Sequence, residues 1–256
     1  MFELSNEDAL SFLKRIPTAS IDAIITDPPY GTTNQVWDAV IPFEPMWQEL
    51  KRIRKPFSPI VLFAAQPFTS TLITSNIKEF KYQWVWVKNA PGGFAQAKNK
   101  PMPIHEDIVI FSDGTTGHAC QSDKRMPYYP QGLVPYGKTI RNKIGTDRPS
   151  AFEARANMVE SYVQEFTGYP DSVLCFDVER EGLHANQKPV PLMQYLIETY
   201  TLPGEKVLDF TCGSGSTGVA AIESGRHFIG NDNDFKSFAV ARRRLKEAEK
   251  TAKGLL

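Results

Sequence analysis

The chain has 256 residues, 41% of them hydrophobic, which is enough for a sizeable core and for one large domain or a domain with an insertion. Its 29 basic and 29 acidic residues balance to zero net charge, so a nucleic-acid partner requires a local basic patch and not a basic protein. Three cysteines (Cys120, Cys175, Cys212) without paired spacing argue against a disulfide framework and a cysteine zinc site, and no apolar run is long enough for a membrane span. The acidic start Glu3, Glu7, Asp8 lacks a signal peptide's charged-then-apolar order. A cytoplasmic protein with no metal site and no membrane partner is expected.

In chain order, apolar residues at Ala9, Leu10, Phe12, Leu13 and Ile16 predict a helix from Asn6 to Arg15, with Ser5 available as its cap. Residues 21–26 read as a buried strand. The strand stops at Asp27-Pro28-Pro29-Tyr30, because neither proline donates a ladder hydrogen bond. This exit presents a carboxylate, a stiffened carbonyl and an aromatic ring at the carboxyl end of a strand, the edge where open α/β sheets bind ligands. Two neighbouring acceptors suit the two protons of an amine, and a ring suits a planar heterocycle. The tetrad therefore fits the exocyclic amine of a nucleobase, against the plainer reading of a proline-rich strand exit with a capping Asp.

Pro42 to Arg54 predicts a helix with Met46, Trp47, Leu50 and Ile53 on one face. Residues 60–63 predict a strand, and Pro67 to Glu79 a further helix. Strands follow at 84–87 and 108–111, separated by a polar loop containing Pro91-Gly92-Gly93 and the lysines Lys88, Lys98 and Lys100. That loop reads equally as a phosphate contact or as a solvated turn. From 112 to 183 prolines, glycines and tyrosines gather. Lys124, Arg125, Lys138, Arg141, Lys143 and Arg148 interleave with aromatics, as in a nucleic-acid surface or a solvated insertion. Residues 152–166 are read as a helix and 172–176 as a short strand.

The tail alternates clearly. A helix is expected from Val190 to Tyr200, a strand at 206–208 and a helix ending at Gly225. A strand at 227–230 and a closing helix from Phe235 to Lys250 follow, with Arg242, Arg243 and Arg244 read as a solvated face. Between the strand and the second helix lies Asp209-Phe210-Thr211-Cys212-Gly213-Ser214-Gly215-Ser216-Thr217-Gly218, and Asp232 stands past the next strand. Strand, glycine loop, helix, strand and acid form a unit for an adenosine-containing cofactor. Gly213, Gly215 and Gly218 also match the dinucleotide fingerprint, so a nicotinamide dehydrogenase competes. Asp209 argues against it, since it would repel a pyrophosphate but attract an ammonium.

Together these residues resemble the amino-methylating DNA methyltransferases that use S-adenosylmethionine. The order resembles their permuted beta class: tetrad first, variable basic segment next, Asn186-Gln187-Lys188-Pro189 and the glycine loop last. The resemblance runs through 4–111 and 172–244. It implies a Rossmann-like α/β methyltransferase fold, a mostly parallel twisted sheet with helices on both faces. In that scheme 1–111 form the catalytic half, 112–183 a target-recognition insertion and 184–256 the cofactor half. Asp27 and the Pro28 carbonyl would bind the target amine, with Tyr30, aided by Trp37, stacking on the base. Asp209, Gly213 and Gly215 would frame the methionine of the cofactor, flanked by Lys188 and Pro189, with Asp232 on the ribose and Asp8 near the adenine. Phe210 and Thr211 stand where the family often has Pro-Phe, and Ala185 where it often has Pro. The implied activity is adenine N6 methylation of duplex DNA, compatible with a homodimer and a cognate restriction endonuclease. Cytosine N4 methylation, RNA guanine-amine methylation with the halves in the other order, and a catalytically silent DNA binder stay open.

Overall fold

Alternation along Ala23-Ile24-Ile25 sends successive side chains to opposite faces of a sheet, and in the computed structural model both faces are covered. The structure describes residues 1–33, 38–117, 122–141, 161–179 and 187–254. They fall into two units, Met1–Tyr129 with Ser172–Leu256, and Pro130–Asp171.

The larger unit is built from β1 (Phe2–Ser5), α1 (Ala9–Arg15), β2 (Ala23–Thr26), α2 (Phe43–Ile53), β3 (Ile60–Ala64), α3 (Phe68–Ser75), β4 (Phe80–Val87) and β5 (His105–Phe111). After the second unit come β8 (Val173–Cys175), α4 (Val190–Tyr200), β9 (Lys206–Asp209), α5 (Ser216–Glu223), β10 (His227–Asn231) and α6 (Phe235–Ala252). The second unit holds an antiparallel pair, β6 (Val134–Arg141) and β7 (Ser161–Thr167), in which Lys138 faces Gln164 and Arg141 faces Ser161.

One eight-stranded sheet runs β1-β10-β9-β2-β3-β5-β4-β8. All its pairings are parallel except those of β5, which runs against β3 and β4. Ile24, Leu62 and Leu208 pack with Leu13, Trp47, Leu50 and Phe68 of α1–α3 on one face. Ile25, Phe63 and Val207 pack with Leu196, Ala220 and Leu245 of α4–α6 on the other. The crossover from β2 leads through α2 to β3, and that from β9 through α5 to β10 on the opposite side. The connections therefore diverge between β2 and β9, and a ligand crevice opens at such a point. No described helix is long and apolar enough to cross a membrane.

Several expectations are corrected. Helix α1 starts at Ala9 and its cap is Asp8, whose Oδ1 accepts from Ser11 N at 2.9 Å. Ser5 instead ends a short strand paired with β10. Helix α3 stops at Ser75, where Asn76 leaves helical geometry. The helix expected over 152–166 is a strand across its described part, Ser161–Phe166, because pairing with β6 supplies backbone partners that an exposed sequence does not advertise.

Candidate functional site

The two acids that end β2 and β9 meet across adjacent strands. Thr26 Oγ1 donates to Asp209 Oδ1 at 2.6 Å, Thr217 Oγ1 donates to its Oδ2 at 2.5 Å, and Thr211 N donates to Oδ1 at 3.1 Å. Thr211 Oγ1 also donates to the Asp27 carbonyl at 3.1 Å, which ties the two strand ends together. Asp209 is 3% exposed. Burial pushes its carboxyl from the usual 3.8 up to about 6, against the pull of the Thr217 and Thr26 hydroxyls.

Asp27 is held from both sides. Tyr30 Oη donates to its Oδ1 at 2.6 Å and Lys188 Nζ to its Oδ2 at 2.5 Å. The Tyr30 ring stacks on Phe68 with centroids 5.1 Å apart, and its phenol is pushed well up by burial and by Asp27. Lys188 lies 3.2 Å from Glu106 Oε2, close enough for an ion pair, and Glu106 in turn pairs with Lys88. Burial opposes a charged Lys188, but Asp27 and Glu106 outweigh it and hold the ammonium at about 12. Burial pushes Glu106 up as well, and the Lys188 and Lys88 ammoniums more than offset this, so its carboxyl lies below the usual range.

The backbone after the tetrad is fixed by Asp38. Its Oδ1 accepts from Tyr30 N (2.8 Å) and Gly31 N (2.9 Å), and its Oδ2 from Thr32 N (2.9 Å) and Thr33 N (2.7 Å). Although burial opposes it, the Thr33 side chain and the backbone N–H groups of Gly31, Thr33 and Tyr30 hold the Asp38 carboxyl below its ordinary value.

The glycine loop is tied down at both ends. Asp232 Oδ2 accepts from Gly213 N at 2.8 Å, and Asn231, buried, donates to the carbonyls of Glu7 (3.1 Å) and Phe210 (3.2 Å). Arg244 donates to Ser214 O at 2.8 Å and to Ser216 Oγ at 3.2 Å, so it is not part of a solvated face, whereas Arg242 and Arg243 are exposed. Gly215 has φ 81°, and a Cβ there would meet Ala241 at 3.0 Å. Cys212 is buried, and burial pushes its thiol well up, as suits a packing residue.

A cavity of about 650 Å3 joins these groups. Its walls include Asp8, Asp27, Pro28, Pro29, Tyr30, Lys188, Asp209, Phe210, Thr211, Gly213, Ser216 and Asp232. Pro189 and Gly215 are not among the lining residues; they cap the N-termini of α4 and α5. Lys124 and Arg125 sit in the larger unit, and Lys138 and Arg141 are exposed on β6 of the second. Lys143, Arg148, Trp37, Ala185 and Asn186 lie outside the described residues.

Sequence reading missed Thr26, Asp38, Glu106, Asn231 and Arg244. Asp38 and Glu106 carried the one visible signal, an acid beside an apolar or aromatic stretch at the carboxyl edge. The others are defined only by what they touch.

The cavity fits S-adenosylmethionine. Its volume is in the range of roughly 300–1,000 Å3 typical of small-molecule sites. A fully buried carboxylate suits an ammonium, a second suits ribose hydroxyls, and Gly213 has open space where a Cβ would stand.

Comparison with known proteins places these features in context. The model of the N6/N4 DNA methylase family matches residues 21–242. The DNA adenine methyltransferase YhdJ of Escherichia coli (strain K12) is 28% identical over 255 residues, covering 93% of this chain and 80% of that protein. The type II methyltransferase M.HpaI of Haemophilus parainfluenzae is 26% identical over 252 residues, covering 93% and 72%. Among solved structures, the complex of M1.HpyAVI with S-adenosylmethionine superposes with TM-score 0.61 at 21% identity, covering 96% of this chain and 100% of that one. The cytosine-N4-specific PvuII DNA methyltransferase superposes with TM-score 0.64 at 15% identity, covering 99% and 92%.

Proposed function

The chain belongs to the N6/N4 DNA methylase family, and within it we propose that this protein methylates the N6 amine of an adenine flipped out of duplex DNA. S-adenosylmethionine is its cofactor, and supplies an electrophilic sulfonium methyl when bound. The observation that carries the reading is the meeting of Asp27 and Asp209 in one cavity at the divergence of the sheet's connections.

A base inside a duplex cannot reach this crevice, so the target is extruded at a cost of a few kcal/mol. Asp27 and the Pro28 carbonyl accept the two amine protons. The nitrogen lone pair is thereby drawn out of conjugation with the ring and turned toward the methyl. Lys188 and Tyr30 hold both Asp27 oxygens in place, so the acceptors are fixed before the base arrives. Lys188, protonated up to about pH 12, balances charge and takes no proton; the amine's surplus proton passes to Asp27. When the cofactor is bound, Asp209 would hold its ammonium, Asp232 the ribose hydroxyls and Asp8 the adenine edge. Lys124, Arg125, Lys138 and Arg141 contact DNA phosphates, with 112–183 as the recognition region.

Adenine is supported by Asp at the head of the tetrad and by the name of the YhdJ relative. The second reading, cytosine N4, draws on the PvuII likeness, which is one of fold. Digestion of unmethylated duplex DNA to nucleosides after incubation with labelled S-adenosylmethionine decides between them. Labelled N6-methyladenine is expected. N4-methylcytosine would keep the chemistry and overturn the base, and the absence of both would overturn the function.

A further inference from the structure

Between β4 and β5 the chain leaves the carboxyl edge of the sheet, the edge that carries Asp27, and returns 17 residues later (Lys88–Ile104). This excursion is an ordered arm. Lys88 N donates to Ile104 O at 2.8 Å and Gly92 N to Pro103 O at 2.9 Å, which zips its two sides together. At the tip Gly93 takes φ 73°, and a single 3-10 turn, Phe94–Gln96, is closed by Gln96 N to Gly93 O at 2.9 Å and Ala97 N to Phe94 O at 3.0 Å.

The tip presents Phe94, whose surface is 84% exposed, the highest among the large hydrophobic residues of the described chain. Its sequence neighbours Gly92, Gly93, Ala95 and Gln96 are small or polar and leave the ring uncovered; the other exposed large hydrophobic residues of the arm, Met102 (37%) and Ile104 (42%), lie on its returning side. The arm contains three lysines and no acidic residue, and Lys98 and Lys100 are exposed beside the tip. Phe235, 69% exposed, also begins an element at this edge, but it packs on Phe238 and follows Asp232 and Asp234, which repel phosphate.

The base of the arm is joined to the catalytic carboxylate. Lys88 at its start pairs with Glu106 just past its end, Glu106 with Lys188, and Lys188 with Asp27. Phe94 stands six residues beyond Lys88, a reach of at most about 22 Å, enough to enter a groove roughly 12 Å wide and 8.5 Å deep.

We infer that the Lys88–Ile104 arm enters the DNA beside the target and that the Phe94 ring occupies the gap left in the stack by the extruded base. Extrusion leaves an unpaired partner base and two separated neighbours. A flat apolar ring restores stacking there, while Lys98 and Lys100 meet the flanking phosphates. An exposed ring among small residues, on an arm with three lysines and no acid, suits this slot better than the broad surface of a protein partner. The role rests on the methyltransferase reading above and adds to it a residue that stabilises the flipped state without touching the reacting atoms.

The test compares wild type, Phe94→Ala and Phe94→Trp on short synthetic duplexes carrying the site mapped from the wild-type product. In one duplex the target is paired, and in the other it faces an abasic position. Phe94→Ala is expected to lose about tenfold or more in kcat/KM on the paired target. Phe94→Trp should recover most of it. The loss should shrink on the abasic duplex, where extrusion costs little, and S-adenosylmethionine binding should be unchanged. Equal loss on both duplexes, or wild-type rates for Phe94→Ala on the paired one, would overturn the inference while leaving the methyltransferase reading intact. A wild-type protein that methylates no DNA would overturn that reading, and the arm's role with it.

Discussion

At Asp209 burial and function pull in opposite directions. Its carboxyl, raised to about 6, is neutral below that pH and offers a cofactor ammonium no charge; above it, the ionised group attracts one. The affinity for S-adenosylmethionine is therefore expected to rise between about pH 5 and about pH 7 and then level off. Asp209→Asn should bind more weakly with that rise flattened, and calorimetric titration across this range checks both. The cofactor-free fold shows the opposite sign. A carboxyl raised above its unfolded value contributes most stability below the ordinary carboxylate pKa, and that contribution is lost as pH climbs through about 6. Asp27 and Asp209 were legible in the sequence because each stands at the end of an apolar run, followed by a proline or glycine break. Thr26, Thr217 and Lys188 acquire partners 8 to 183 positions away in the chain only when it folds.

Among the elements, α5 depends on close approach to its neighbours. A Cβ on Gly218 would come within 2.5 Å of Leu245 Cδ2 and 2.6 Å of Phe228 Cδ1, both fully buried side chains that cannot retreat. Alanine gains about 1 kcal/mol in helix propensity, but overpacking costs about 1–3 kcal/mol. Gly218→Ala is thus expected to lower stability by up to about 2 kcal/mol, read as a fall in the urea midpoint at unchanged slope. The buried elements α2, α4, β3, β9 and β10 were legible because burial on one or both faces writes a period or a run into the sequence. Strand β1 is four residues with the pattern of an acidic terminus, and only its pairing with β10 makes it a strand. Strand β7 carries exposed Tyr162, Val163 and Phe166 and has no buried face to pattern it, so helical and extended readings are equally compatible with its residues.

For the molecule as a whole, zero net charge demands that DNA be met locally. Lys138→Ala combined with Arg141→Ala is expected to weaken duplex binding and to reduce the slope of log affinity against log salt by about 1 for each phosphate that is no longer neutralised. Cofactor binding should stay unchanged, and fluorescence anisotropy over a salt series checks it. The family was readable from motifs alone, through the tetrad and the glycine loop. The arm at Phe94 and the Asp38 cradle were not, because a glycine-rich loop and a lone acid take their meaning from the edge they reach. In the proposed reaction distant parts of the chain assemble one site for moving a methyl group to an amine, with Asp27 as the acceptor that prepares the amine. Its most direct test is Asp27→Ala, assayed for methyl transfer to duplex DNA and for S-adenosylmethionine binding side by side with wild type. Transfer is expected to fall by at least about a hundredfold with cofactor binding retained. Transfer near the wild-type rate would contradict it.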